Sequence, residues 1–313
     1  MADLYVKDLL PTSSEQAIRE FQERYLAAVS AADPGDWAQK FVLSTGAPRN
    51  TFPLSYVSTK YNATKDDSGR VESMEEGSFD VSVIQYDTGY KANWVDLKTN
   101  SFAYRQWNQA PGLFAMGERR HVSKKLTALL EAGTTTASPW DNVNFFSASH
   151  KANRKTLTTT FGNYQSSGTD PASITNITTE ITSMKDVRDT NGDRLGVSPD
   201  EIWLPPQKFQ AVSNLLSQNM INNGESNPLL GKLRPVELVD ATDVNDWYLV
   251  DSRLMSQLPC MVAMQYRPDG MGLSFLDENS DNFKKFGELQ VLSKIWYGFG
   301  LVFPHAIRLV RGA

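Results

Sequence analysis

Apolar positions along this chain fall into two periods, and the change between them predicts its elements. Ile18, Phe21, Tyr25 and Ala28 recur at three, four and three residues, so one helical face over 12–31 is apolar. Ser13 and Gln16 have the spacing of an N-terminal cap, and Asp33-Pro34-Gly35 stops the helix. Phe41 to Leu43 reads as a short strand. Pro111 to Ala132 predicts a long helix. Pro111 suits its first turn, Gly133 suits its end, and Ala115, Val122, Leu126, Leu129 and Leu130 share a face. Ile174, Ile177, Ile181 and Met184 predict another helix, with Asp170 as cap and Pro171 at its first position.

Between residues 189 and 251 the elements are closely spaced. Glu201 to Leu204 is a strand, Pro205-Pro206 ends it, and Phe209, Val212, Leu215 and Leu216 mark a helix. Pro235–Val239 and Trp247–Val250 are further strands, Leu289 to Phe303 is a long one, and a last short strand ends at Gly312. Lys155 to Phe161 is Thr-rich and strand-like. Residues 46–78 break the rhythm: they are polar and punctuated by Pro48, Pro53, Asp66-Asp67-Ser68-Gly69 and Glu75-Glu76-Gly77. A strand pattern follows over Phe79 to Ile84. Loops longer than about 15 residues are uncommon in compact domains and, where they occur, are functional or disordered.

Composition narrows the function classes. The 313 residues suffice for one large domain or two intertwined ones. A net charge of −5 argues against a protein whose main work is gripping nucleic acid. The single cysteine, Cys260, precludes an intrachain disulfide and sits among apolar neighbours, as a buried thiol would. The opening MADLYVKDLL lacks the basic start of a signal sequence, and no apolar run has the ~20 residues a membrane span requires.

The chemistry-bearing motifs are few. Asp189, Asn191, Asp193 and Asp200 stand at positions one, three, five and twelve of a calcium-loop pattern. Arg194 occupies the position that requires glycine, and Asp-Thr-Asn-Gly-Asp is good turn chemistry by itself, so no metal is expected. His121, His150 and His305 have no metal-ligand spacing, and no nucleophile elbow, phosphate loop or dinucleotide turn is present. Cys260 has no partner histidine in a catalytic pattern. No catalytic residue and no cofactor is therefore expected. A basic cluster, Arg119, Arg120, Lys124 and Lys125, lies on the long helix; it reads either as a face toward nucleic acid or as a solvated face pairing with acids.

The order of the pieces resembles a known family. A strand ending in Pro-Pro, a helix, the Trp247-Tyr248-Leu249 strand, Ser280-Asp281-Asn282-Phe283 before a long strand, and Pro304-His305-Ala306-Ile307 near the end are similar to tailed-phage major capsid proteins. The Mu-like major head subunits are the nearest resemblance, and Phe145-Phe146-Ser147 with His150 adds to it. The resemblance covers residues 113 to 312.

The resemblance implies an α+β fold of the Hong Kong 97 coat type. Its parts would be an N-terminal arm (1–35), an extended loop (46–90), a peripheral domain with a long spine helix (36–45, 91–185 and 283–313) and an axial domain (186–282). The implied role is a structural one: hexamers and pentamers of this subunit closing an icosahedral head around double-stranded DNA. A separate scaffolding protein, a portal at one vertex and in some heads a decoration protein would be its partners. It would be made in the host bacterial cytoplasm, reside in the virion and meet no membrane. The amphipathic helix would lie on a neighbouring subunit, and Phe52, Leu54, Tyr56, Val57 and Tyr61 would make inter-subunit loop contacts. Some relatives join Lys to Asn covalently; Lys60 and Asn62 lie in the loop but match no such motif. The alternatives are an encapsulin-like compartment shell, told apart by its cargo, and an unrelated α+β enzyme, which would need a pocket with convergent polar groups.

Overall fold

The computed structural model describes residues 10–11, 13–31, 37–54, 77–153, 159–166, 169–221, 224–268, 270 and 272–312. Its contacts divide the chain into two interleaved units, one of residues 1–49, 82–123 and 263–298, the other of 50–81, 124–262 and 299–313.

In the first unit, helix α1 (Ser14–Ser30) begins where Ser13 Oγ accepts from the backbone N–H of Gln16 at 3.2 Å. Its predicted stripe is real, but it faces its own chain. Phe21 packs on Trp107, Phe114 and Phe275, with ring centroids 5.0, 5.9 and 5.7 Å away. The indole of Trp107 donates to the Ala17 carbonyl at 3.1 Å. The helix expected as an arm on a neighbour is thus core to its own unit, because three aromatic rings here complete its apolar face.

After β1 (Val42–Thr45) the chain reaches β4 (Ile84–Asn93), α2 (Trp94–Thr99) and α3 (Ser101–Glu131). Helix α3 starts at Ser101 and not at Pro111, which lies inside it. Tyr104 and Trp107 extend the apolar stripe backwards from Ala115, and Asn100 Oδ1 caps the start by accepting from Phe102 N–H at 2.9 Å. That burial outweighs the hydrogen bond a proline removes from a helix interior. The sheet beneath runs β1, β11 (Met261–Tyr266), β13 (Glu288–Leu301), β12 (Leu273–Leu276), and β4 also pairs with β13. Ten residues of β4 pair antiparallel with β13, from Asn93 opposite Glu288 to Ile84 opposite Tyr297. Helix α7 (Asp281–Phe286) joins β12 to β13 and ends at Gly287, whose φ of 65° suits glycine.

In the second unit β2 (Arg49–Leu54) and β3 (Gly77–Ser82) form a two-stranded ladder. The strand expected over 79–84 is therefore the end of β3 and the start of β4, with Val83 between them donating to Pro48 O at 3.0 Å. Residues 84–90, placed in the extended loop by the resemblance, belong to the β4–β13 ladder.

The main sheet of this unit has the order β7 (Tyr164–Gln165), β14 (Ile307–Arg311), β10 (Asp246–Val250), β8 (Glu201–Leu204), β9 (Arg234–Glu237). Every residue of β8 and β10 is buried, as expected of central strands covered on both faces. Helices α4 (Ile174–Met184) and α5 (Pro206–Ser217) cover it through Ile177, Met184, Val212 and Leu216. The cap of α4 is Ser173, accepting from Asn176 N–H at 3.4 Å; Asp170, expected there, instead accepts from Ala172 N–H at 3.1 Å in the preceding turn. Arg308 on β14 and Glu180 on α4 form a buried ion pair at 2.8 Å, and Arg308 also donates to Gly162 O at 3.0 Å. Two short strands, β5 (His150–Lys151) and β6 (Thr160–Phe161), pair antiparallel as a separate ladder, with His150 opposite Phe161.

Candidate functional site

Helix α3 carries the residues on which a functional reading turns, and its faces differ in chemistry. Arg119 points back to the end of α1, donating to Ala28 O at 2.8 Å, to Val29 O at 3.2 Å and to Ala31 O. Those are the carbonyls a helix leaves without partners at its C-terminus, where a cation is also favoured by the helix dipole. Arg119 is therefore a capping residue, separated in role from Arg120, Lys124 and Lys125, which are exposed on the same helix.

One residue earlier, Glu118 is only 7% exposed and forms a centre that the sequence did not announce. It accepts from Tyr25 Oη at 3.0 Å, Tyr297 Oη at 2.8 Å, Gln265 Nε2 at 2.9 Å and Arg267 Nη2 at 2.6 Å. Gln265 also donates to Tyr297 Oη. Burial, then the neighbouring Glu118 charge, pushes the Tyr25 hydroxyl up to about 12, and the same two causes raise Tyr297 further. A carboxylate supplied with four donors, one of them a guanidinium, holds these elements in position. The partners lie 93, 147, 149 and 179 residues away in sequence, so no local spacing reveals them.

Beside this centre is a cavity of about 250 Å³ lined by residues that include Tyr86, Asp87, Phe114, His121 and Ile295. The His121 ring packs on Tyr86 with centroids 4.2 Å apart. Leu113 borders the cavity and is 64% exposed; Met116, one turn on, is 65% exposed.

The remaining sequence candidates fall as follows. Leu54 closes β2 and is 2% exposed within its own chain, so its burial does not depend on a neighbour. Tyr56, Val57, Tyr61, Lys60 and Asn62 lie outside the described residues, as does the side chain of Phe52. The Asp189 carboxylate accepts from the N–H groups of Asn191 and Asp193, each at 2.9 Å, and Asp200 is engaged with Ser252 at the start of helix α6 (Ser252–Gln257). The two ends of the calcium-like pattern are thus directed to different partners. Among the described residues no cluster of three potential metal ligands occurs, and no helix is long and apolar enough to cross a membrane. Cys260 is buried.

Comparison with known proteins identifies the architecture. A family model described as phage capsid protein matches residues 76–311. Among curated protein sequences none matches. The procapsid of bacteriophage JBD30 aligns over 95% of this chain and 74% of its own, with TM-score 0.53 and 14% identity. The mature capsid of bacteriophage PhiM1 aligns over 91% and 89%, with TM-score 0.52 and 13% identity. The virus-like particle from Pyrococcus furiosus aligns over 94% and 98%, with TM-score 0.52 and 8% identity. These likenesses are of fold.

Proposed function

The chain belongs to the phage capsid protein family, and from that premise we propose how this shell subunit is employed. Its role is structural: many copies form the capsomers of an icosahedral head, and the protein resides in the virion. The head encloses double-stranded DNA held by non-specific contacts, as an acidic chain allows. Arg120, Lys124 and Lys125 are the residues for those contacts. Assembly proceeds on a separate scaffolding protein, with a portal at one vertex and synthesis in the bacterial cytoplasm.

Beyond family membership, two observations support the reading: exposed apolar side chains on α3 and a two-stranded ladder flanking the segment 55–76. Leu113 and Met116 are exposed on α3, and β2 and β3 lead out to and back from the segment 55–76. Phe52, Tyr56, Val57 and Tyr61 of that region supply the apolar groups that cover a neighbouring subunit. Such interfaces join an apolar centre to a polar rim and repeat by symmetry. A photo-crosslinking residue placed at Tyr56 tests this directly. In assembled particles it joins two subunits, and mass spectrometry of the product places the bond on the neighbour; a bond only within one chain rejects the proposed contact.

A further inference from the structure

The turn between β13 and β14 is buried throughout, from Val302 to Ala306. At its centre His305 is 0% exposed, and neither ring nitrogen has a hydrogen-bond partner. The ring is enclosed by aromatics: Trp140 lies edge-on at 4.9 Å between centroids, Phe161 at 4.7 Å and Phe303 at 6.4 Å. Two polar atoms without partners are costly to bury, so a histidine here is an exception that calls for a reason.

A second buried histidine stands beside it with the opposite arrangement. His150 Nδ1 is 2.9 Å from Asp141 Oδ2, and its Nε2 is 3.0 Å from Phe145 O and 3.1 Å from Asn163 Oδ1. The Asn163 orientation is set by its amide nitrogen donating to Phe145 O at 2.9 Å and Pro304 O at 3.1 Å, and by its oxygen accepting from Ser147 N–H. Both His150 nitrogens thus face acceptor oxygens. Burial acts to raise the Asp141 carboxyl, but His150 and the N–H groups of Lys151 and Val143 hold it below its ordinary value. Asn163 therefore ties the loop that carries Trp140 and His150 to the turn that carries His305.

We propose that this centre is an acid-sensitive latch: the loop of residues 138–153 stays seated on the 302–306 turn while His305 is neutral, and a proton taken up by His305 releases it. The proton comes from solvent onto a ring nitrogen. The resulting imidazolium has aromatic rings around it, His150 works against its charge, and Asp141, already paired with His150, offers partial compensation. It gains water and partners only by opening. Among the described residues, Asp141 and His150 are the charged groups acting on this ring. Burial and the His150 charge push His305 down to about 3, with Asp141 opposing them, against an ordinary value of 6.5. The folded pKa is depressed, so the stabilisation is complete above pH 6.5 and fades as pH falls toward 3.

Urea unfolding of the unassembled chain tests the latch. Between pH 7.5 and 4.5, roughly a 90-fold loss in the folding equilibrium constant is expected from His305 alone. His305→Phe, which keeps a ring in the enclosure, should lack that component. Equal pH dependence in the two proteins overturns the proposal. If the variant does not fold, the wild-type histidine ring resonances decide. The chain has three histidines, and His121→Gln removes one signal. A ring that stays neutral in the folded protein down to pH 4.5 supports the latch. A His305 ring that titrates near 6.5 without loss of structure defeats it.

Discussion

Arg267 Nη2 donates to Glu118 Oε1 across 2.6 Å, joining the end of β11 to the middle of helix α3. Glu118 is nearly inaccessible, whereas the Arg267 side chain keeps 27% of its exposure. Removing the acid takes the shared acceptor from the guanidinium, Gln265 and both tyrosine hydroxyls, whereas removing Tyr297 Oη takes away its bond to Glu118 and the one it accepts from Gln265. Glu118→Ala should therefore destabilise the chain by about 3 kcal/mol, the lower end for breaking a buried pair because Arg267 retains some water. Tyr297→Phe should cost about 1 kcal/mol. Urea unfolding at pH 7 measures both; equal small losses would remove Glu118 from its organising role.

The same centre predicts an alkaline limit. The Tyr25 hydroxyl is raised from 10.0 to about 12, so the folded state retains its proton where the unfolded chain loses it. That stability is complete below pH 10 and declines as pH rises toward 12. Ultraviolet titration of tyrosinate should leave Tyr25 silent below pH 11 in folded protein, and Tyr25→Phe should remove its part of the alkaline loss.

The basic face of α3 should divide by function. Arg119→Ala removes donors from the end of α1 and should cost about 1–2 kcal/mol, the scale of charge-assisted hydrogen bonds that are partly exposed. Arg120→Ala, Lys124→Ala and Lys125→Ala together should leave the melting temperature within 2 °C or so, a surface effect. The triple variant should reduce retention of DNA in filled particles. Loss of stability without loss of DNA would reject the assigned contact.

The Asp189 turn should be indifferent to calcium. Its carboxylate already accepts two backbone N–H groups, and Arg188 and Arg194 both reach Asp186 nearby. Asp189→Ala should cost about 1 kcal/mol through the lost turn bonds. Neither EDTA nor calcium should move the melting point of the unmodified chain; a calcium-dependent shift would contradict this.

Where local pattern and burial agree, the chain is legible from its sequence. The strand–Pro-Pro–helix unit of β8 and α5, the Trp247 strand and the long C-terminal strand appear where expected, because each buries one regular apolar set. The start of α3 was hidden by Pro111, a residue that reads as a beginning and is held in an interior by Tyr104 and Trp107. Strand β4 is hard to read because most of its residues are exposed and only Tyr86, Tyr90 and Ala92, on one face, are partly buried. Arg119 sat in a run of bases whose charge suggested one surface, while its geometry serves α1. Glu118 and His305 depend on distant partners, which no spacing along the chain encodes.

Deleting residues 56–75 and bridging them with a short Gly/Ser turn should preserve far-ultraviolet circular dichroism. Loop closure adds only modest cost, and Leu54 remains in place. Closed shells should be lost. Failure to fold, or normal shells, would contradict the proposed loop contact.

Electron microscopy of the purified full chain, alone and with scaffolding protein over a range of salt, tests the account most directly. Closed icosahedral shells or rings of five and six subunits are the predicted result. Dispersed globular monomers at micromolar concentration under every condition would contradict it.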